Sequence, residues 1–302
     1  MIISALTPSR QQFVRDVNNV IQQINTDVLN ISSGVDIRNL SDQPDEVSPL
    51  LEARAQLSAA QQAATNLGSY TTEVKTADQS ISSAIQLFDQ VQTLAAEGAT
   101  GTQTASTRAQ LAAQLQSIEQ QMVGLANTQV NGRYIFAGDA DQTQPYTFDP
   151  TQPDPVSAYQ GSSSTRVALA ADGTTFPVAL TAQQIFDSAD SSTNMFTAIN
   201  TLVAALNNND QAGVAAAANG LPAVASYLND QLAFYGNAEN HLSDASDAAQ
   251  TRVTQLQAQI SGLEDTNMTA AITDMTQAQI QEQAALGSEA QIPRQTLFDY
   301  LA

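Results

Sequence analysis

The chain has 302 residues, no cysteine and no tryptophan, and it sets 30 acidic residues against 10 basic ones for a formal charge of −20. Without cysteine, disulfides and thiolate metal sites are excluded. The acidic surface opposes nucleic acid and anionic membranes, and no apolar run reaches the ~18 residues of a membrane span. The start, MIISALTPSRQQF, lacks the basic and apolar regions of an ordinary secretory signal.

Residues 1–33 carry Ile3, Leu6, Phe13, Val17, Val20, Ile24 and Ile31 at spacings of three and four or their sums, with Arg10 and Asp27 in the remaining seam positions. This spacing predicts a heptad-like helix whose stripe needs a partner. Ser32, Ser33 and Gly34 end it. The acidic VDIRNLSDQPDE, containing Pro44, reads as a connector. Ser41 or Asp42 is the expected cap of the next helix, and Asp45 and Glu46 suit its first turn.

That next helix has the strongest pattern in the chain: Leu67, Tyr70, Val74, Ala77, Ile81, Ala84, Phe88, Val91 and Ala95 alternate by three and four without a break. EGATGTQ at 97–103 interrupts it. A third helix, with Leu111, Leu115, Ile118, Met122 and Leu125, is expected to fold back antiparallel. After Asn131-Gly132 the helical period is lost from Tyr134 to about Phe186. Pro145, Pro150, Pro153 and Pro155 crowd one loop there, and TRVALAADGTTFPVAL predicts a hairpin with Asp172-Gly173 as a two-residue turn. A β-rich insert of roughly fifty residues is near the lower limit of what folds alone.

Helix resumes near 193 with Phe196, Ile199, Val203 and Leu206. A longer helical region runs to about Leu263, with interruptions anticipated at Gly220-Leu221-Pro222 and at Gly236. Its later stripe is Leu242, Ala245, Ala249, Val253, Leu256, Ile260 and Leu263. Beyond 266 the seam is vaguer, through Met268, Ile272, Met275, Ile280 and Ala284, before QTLFDYLA turns apolar again.

The fold class expected is mainly α. Terminal coiled-coil arms (1–42 and 266–302) flank a helical rod (43–133 and 191–265), which carries a small β-rich inserted domain (134–190) facing solvent. Pairing the two arms would bury both stripes for a gross gain on the order of ten kcal/mol. The opposing backbone entropy is ~1–2 kcal/mol per residue. The arms are therefore expected to order only when many copies pack together.

Chemistry is sparse. The one histidine, His241, sits in a helical stretch, and there is no HExxH, phosphate-cradling glycine loop or GxSxG. The carboxylates of DQPDE and GDADQTQ lack EF-hand spacing. Asn30 and Asn267 fit the glycosylation sequon, a pattern that arises often by chance. No catalytic residue, metal ligand or cofactor is assigned.

ISSGVDIRNLSDQPDE (31–46) resembles the spoke region of bacterial flagellins and their relatives, and LEDTNMTAAITDM (263–275) resembles the matching C-terminal segment. Asn131-Gly132 followed by Tyr134, Phe136, Gly138 and Pro145-Tyr146 is more similar to the hook-associated branch of that superfamily, found at the hook–filament junction. YQGSSSTR (159–166), GNAENHL (236–242) and TLFDYL point the same way.

The resemblance implies export, unfolded and without a cleaved signal, through the flagellar type III apparatus. It also implies an extracellular flagellar location, arms disordered in the monomer, and assembly as a structural ring. The implied partners are neighbouring copies of the chain, the other hook-associated junction protein, flagellin, and an export chaperone on the C-terminal arm. Nucleic acid and membrane insertion are not among them.

The assembly interface expected is Ile3, Leu6, Phe13, Val17, Val20, Ile24 and Ile31 of the N-terminal arm, with Met268, Ile272, Met275, Leu297, Phe298 and Leu301 of the C-terminal arm. Two departures stand out. Pro293 lies in QIPRQTL, which is similar to flagellin endings and keeps a short filament-forming flagellin open. Gln90 and Gln92 stand where flagellins carry arginines, which implies weak or no innate-receptor recognition. A secreted coiled-coil interaction protein or adhesin is the third reading.

Overall fold

The computed structural model describes residues 7–38, 44–170 and 173–291. The expected cap at Ser41 or Asp42, the turn residue Asp172 and Pro293 lie outside these. In chain order the elements are α1 (Thr7–Ser33), α2 (Pro44–Gly98), α3 (Ala105–Ala126), β1 (Gln129–Val130) and β2 (Arg133–Tyr134). Then come β3 (Val167–Leu169), β4 (Thr175–Pro177), α4 (Ala182–Phe186), α5 (Met195–Asn207), α6 (Gln211–Glu264) and α7 (Met268–Gln291). The fold is mainly α, as expected. It divides into two compact units, one of residues 1–58 with 254–302 and one of residues 59–253, so α2 and α6 contribute to both.

Helix ends follow local chemistry. Gly34 takes the left-handed backbone, φ 75, that a Cβ disfavours, and its N–H donates to Asn30 O at 2.8 Å, closing α1. Pro44 opens α2, where its missing N–H costs no helical bond, and Asp45 and Glu46 occupy the first turn. Thr104 caps α3 by accepting from Thr107 N at 3.2 Å, and Asn194 caps α5 by accepting from Thr197 N at 2.9 Å.

In the second unit the α2 stripe is the core. Val74, Ala77, Ile81, Ala84, Phe88, Val91 and Ala95 are 0–2% exposed, and they form one cluster with Leu111, Leu115, Ile118 and Met122 of α3 and with residues of α5 and α6. Tyr70 of the same stripe is half-buried. The α2–α3 pair is antiparallel. Ser80 meets Thr128 at 3.1 Å, while at the other end Arg108 Nε donates to Gly98 O at 3.1 Å.

Arg108, only 4% exposed, also donates to Thr100 O at 3.0 Å and to Asn209 Oδ1 at 2.5 Å. It thereby ties the α2–α3 turn to the end of α5. Three turns further along α3, Glu119 is 1% exposed with neither carboxylate oxygen hydrogen-bonded, and burial, with the Asp154 carboxylate second, pushes it up to about 8.

The region after α3 differs from expectation in three ways. Asn131 and Gly132 do more than stop a helix: with φ 52 and 76 they form the two-residue turn of a hairpin in which Val130 pairs with Arg133. The predicted second hairpin exists, β3 against β4 with Leu169 opposite Thr175, but its turn is longer than two residues. Ala170 N–H donates to Thr174 O at 2.8 Å, and Gly173 takes φ 87 within the loop.

Finally, the insert is mostly irregular coil around these two small ladders, with a short helix α4 closed by a Thr181–Gln184 capping box. Its apolar residues do not form a separate core. Ile135, Phe136, Tyr146, Val178, Ile185 and Phe186 join the helical cluster, with Phe136 edge-on to both Phe186 and Tyr235. Arg166 fastens it to α2 through Glu73 at 2.7 Å and to Ile135 O at 2.9 Å.

The interruptions anticipated in α6 are absent: the helix passes through Pro222 and Gly236. Leu221, Val224 and Leu228 are at most 1% exposed. Their burial outweighs the one backbone bond that the proline removes.

Candidate assembly interface

In the first unit, α1 and α7 pack side by side. Their orientation is fixed where α1 ends and α7 begins: Asp36 N–H donates to Glu264 O at 2.7 Å, and Thr266 N–H donates to Gly34 O at 2.9 Å. The short bridge Val35–Asp265 joins the two backbones, so the helices run antiparallel. The polar corner beneath is ordered by Asn30, whose Nδ2 donates to Asp36 Oδ1 at 2.8 Å and whose Oδ1 accepts from Arg38 at 2.7 Å. Asn30 is 7% exposed, so its sequon is closed by folding. Asn267, the other, accepts from Ala270 N at 3.2 Å at the start of α7. A cleft of about 380 Å³ beside the corner is lined by Val35, Ile37, Val47, Leu50, Leu51 and Arg54, with Leu51 half exposed.

The predicted face of α1 is the face turned to α7, yet its burial is incomplete. Phe13, Val17, Val20, Ile24 and Ile31 are all half-buried, and among the described side chains of α1 those that reach full burial are polar, Asp27 at 5% and Asn30 at 7%. On α7 the inward positions are Ala271, Met275, Ala278, Glu282 and Ala285, again at spacings of four and three, with full burial reached at the two alanines Ala271 and Ala278.

Of the predicted α7 residues, Met275 joins this seam. Met268 and Ile272 are 43% and 47% exposed on the outer side. Small alanines let the two backbones approach, so the larger side chains are left outward. Ile280 and Leu286 are also exposed, and so is a line along α1 that sequence reasoning passed over: Val14, Ile21 and Val28, seven apart and 54%, 38% and 46% exposed. The heptad interval was visible in the sequence but was overshadowed by the longer stripe next to it. Ile3, Leu6, Leu297, Phe298 and Leu301 lie outside the described residues.

Asp27 is the electrostatic anomaly of the seam. Its Oδ1 accepts from Gln23 Nε2 at 3.0 Å, while its buried Oδ2 has no partner. Burial pushes its carboxyl above the ordinary range, Gln23 pulls it back, and the carboxylates of Asp274 and Asp36 push it up further.

Among the described residues no helix is long and apolar enough to cross a membrane. None of their carboxylates or histidine gathers into a group able to hold a metal ion. The arrangement has the character of a binding surface: two amphipathic helices, paired, each with apolar area left over.

Both helical regions have known relatives. Residues 5–141 match the bacterial flagellin N-terminal helical region, and residues 222–301 match the bacterial flagellin C-terminal helical region. A curated relative, flagellar hook-associated protein 3 of Salmonella typhimurium, is 31% identical over 194 residues, which take in 58% of this chain and 57% of the relative. Solved structures share the fold at low identity. A provisionally named flagellar hook-associated protein from Vibrio parahaemolyticus superposes with a TM-score of 0.65 at 22% identity, covering 74% of this chain and 100% of that one. Hook-associated protein-3 from Legionella pneumophila gives 0.60 at 12% identity, covering 70% and 98%. FlgL from Bacillus cereus gives 0.54 at 16%, covering 71% and 100%.

Proposed function

The chain belongs to the bacterial flagellin family, and from that premise we propose that it is a structural adaptor of the flagellum, a ring subunit seated between hook and filament. The observation that carries the reading is the half-covered seam. After α1 and α7 have paired, Phe13, Val17, Val20 and Ile24 still face water in part, and Val14, Ile21, Met268 and Ile272 face it openly. Apolar area left over at ~25 cal/mol per Å² is a driving force for association. Neighbouring copies in a tubular lattice supply the missing cover. The predicted interface, from Ile3 to Ile31 and from Met268 to Leu301, is the surface we assign to that packing.

The hook-associated name of the curated relative and the insert motifs favour the junction over the filament. On this reading the partners are the neighbouring ring subunits, the other hook-associated junction protein on one side and flagellin on the other. Export proceeds through the flagellar type III apparatus with a chaperone on the C-terminal arm, and the protein's place is extracellular. The terminal arms, 1–42 and 266–302, complete their order on assembly, and the insert, 134–190, faces outward. The role is mechanical, not catalytic.

Antibody labelling of isolated flagella tests this. A single band at the distal end of the hook is expected, and label along the filament would make the chain a short flagellin instead. Deletion of the gene should yield non-motile cells that shed flagellin monomers. Unimpaired swimming would leave a secreted coiled-coil interaction protein as the better account.

A further inference from the structure

The apolar stripe of α1 is interrupted at its best-buried position by a carboxylate. Asp27 occupies the seam position between Ile24 and Ile31 and is 5% exposed, more deeply covered than any described apolar residue of the same stripe. One carboxylate oxygen takes a bond from Gln23 of its own helix; the other, Oδ2, is buried without a partner. The charged groups that face it are of its own sign, Asp274 from α7 and Asp36 from the connector. The cation of that connector, Arg38, donates to Asn30 Oδ1 at 2.7 Å. A leucine or isoleucine here would complete the seam. A polar residue at a seam position weakens a helix pair in exchange for specificity or switchability.

We propose that Asp27 is a weakening and pH-sensing element of the arm pair. Charged, it holds α1 and α7 in a loose association that helices of a neighbouring chain can displace; protonated, it lets the same two helices close on each other. Geometry alone carries the device, and its use in assembly rests on the function proposed above.

The sign follows from burial. A carboxyl raised in the folded pair above its unfolded value of 3.8 favours the pair while protonated. That contribution is fully present below the unfolded value and is lost as pH rises through the folded one. At neutral pH the arms are therefore at their loosest, and acid tightens them.

Amide-exchange protection factors of α1 and α7, measured on the full-length chain at about pH 4 and about pH 7, test the device directly. Protection in both helices should be higher at the acid pH and fall as pH rises. Asp27→Asn and Asp27→Ala should each hold the acid-like protection at neutral pH and abolish the dependence. Two variants are used so that either one can decide if the other fails to fold. A wild-type chain with pH-independent arm protection overturns the proposal, as does a folded Asp27 variant that keeps the wild-type pH profile. This outcome is independent of where antibodies place the protein on the flagellum.

Discussion

The α2 stripe and the α1 stripe obey the same three-and-four spacing, yet they end in different states. On α2, Ile81, Ala84, Val91 and Ala95 are 0% exposed, enclosed by α3, α5, α6 and the insert. On α1, Phe13, Val17, Val20 and Ile24 stay half-buried against a single partner helix. Periodicity states which face of a helix is apolar; it does not state how many neighbours will cover it. The second unit has its neighbours within the chain. The first unit is short of them, and on the function proposed above other copies supply the rest.

The comparison sharpens under mutation. Phe88→Ala, in the enclosed stripe, should destabilise the second unit by about 3–5 kcal/mol in denaturant melts. A cost below about 1 kcal/mol would mean a core looser than the 1% exposure of Phe88 implies. Next in size is the buried acid. Glu119, pushed up to about 8 from 4.5, favours the folded unit while protonated. That stability is present below pH 4.5, is lost as pH rises toward about 8, and is flat above. Glu119→Gln should remove the slope and raise neutral-pH stability by on the order of 3 kcal/mol; an unchanged slope would place the titration elsewhere.

Gly138→Ala tests how tightly the insert is seated. At φ 63 an added Cβ presses on the carbonyl oxygens of Ser162 and Ser164, so a loss of about 2 kcal/mol or more is expected in the same melts. The smallest effect on the lone chain belongs to the arms. Val17→Ala should cost less than about 1 kcal/mol in the monomer yet sharply reduce incorporation into flagella, scored by band intensity at the hook end. Equal tolerance in both assays would remove α1 from the interface.

Much of this was legible in the residues. The α2 stripe, the α3 return, the cap-and-glycine end of α1 and the resumption of helix at α5 follow from local chemistry that tertiary packing reinforces. The Asn131-Gly132 hairpin was not read as one, although both residues tolerate positive φ, because the strands it joins are two residues each, too short to register as a pattern. Continuity of α6 through Pro222 was not legible, because the burial that holds it comes from residues distant in sequence. Arg108 and Glu119 were silent for the same reason: only the fold brings Arg108 to Gly98, Thr100 and Asn209, and only the fold closes Glu119 from water. In the arm pair the inward face of α1 was readable, whereas that of α7 was readable only at Met275. Its close-packing positions are alanines, and its large apolar residues, Met268 and Ile272, face away from the pair.

The central claim, that α1 and α7 lack cover which neighbouring chains provide, is tested most directly by hydrogen exchange at neutral pH on the free chain and on the same chain within isolated hook–filament junctions. Amides of α1 and α7 should exchange far faster than those of α2 between Leu67 and Ala95 in the free chain, and should become comparably protected after assembly. Arms already as protected as α2 in the free chain, or unchanged on assembly, would contradict the account.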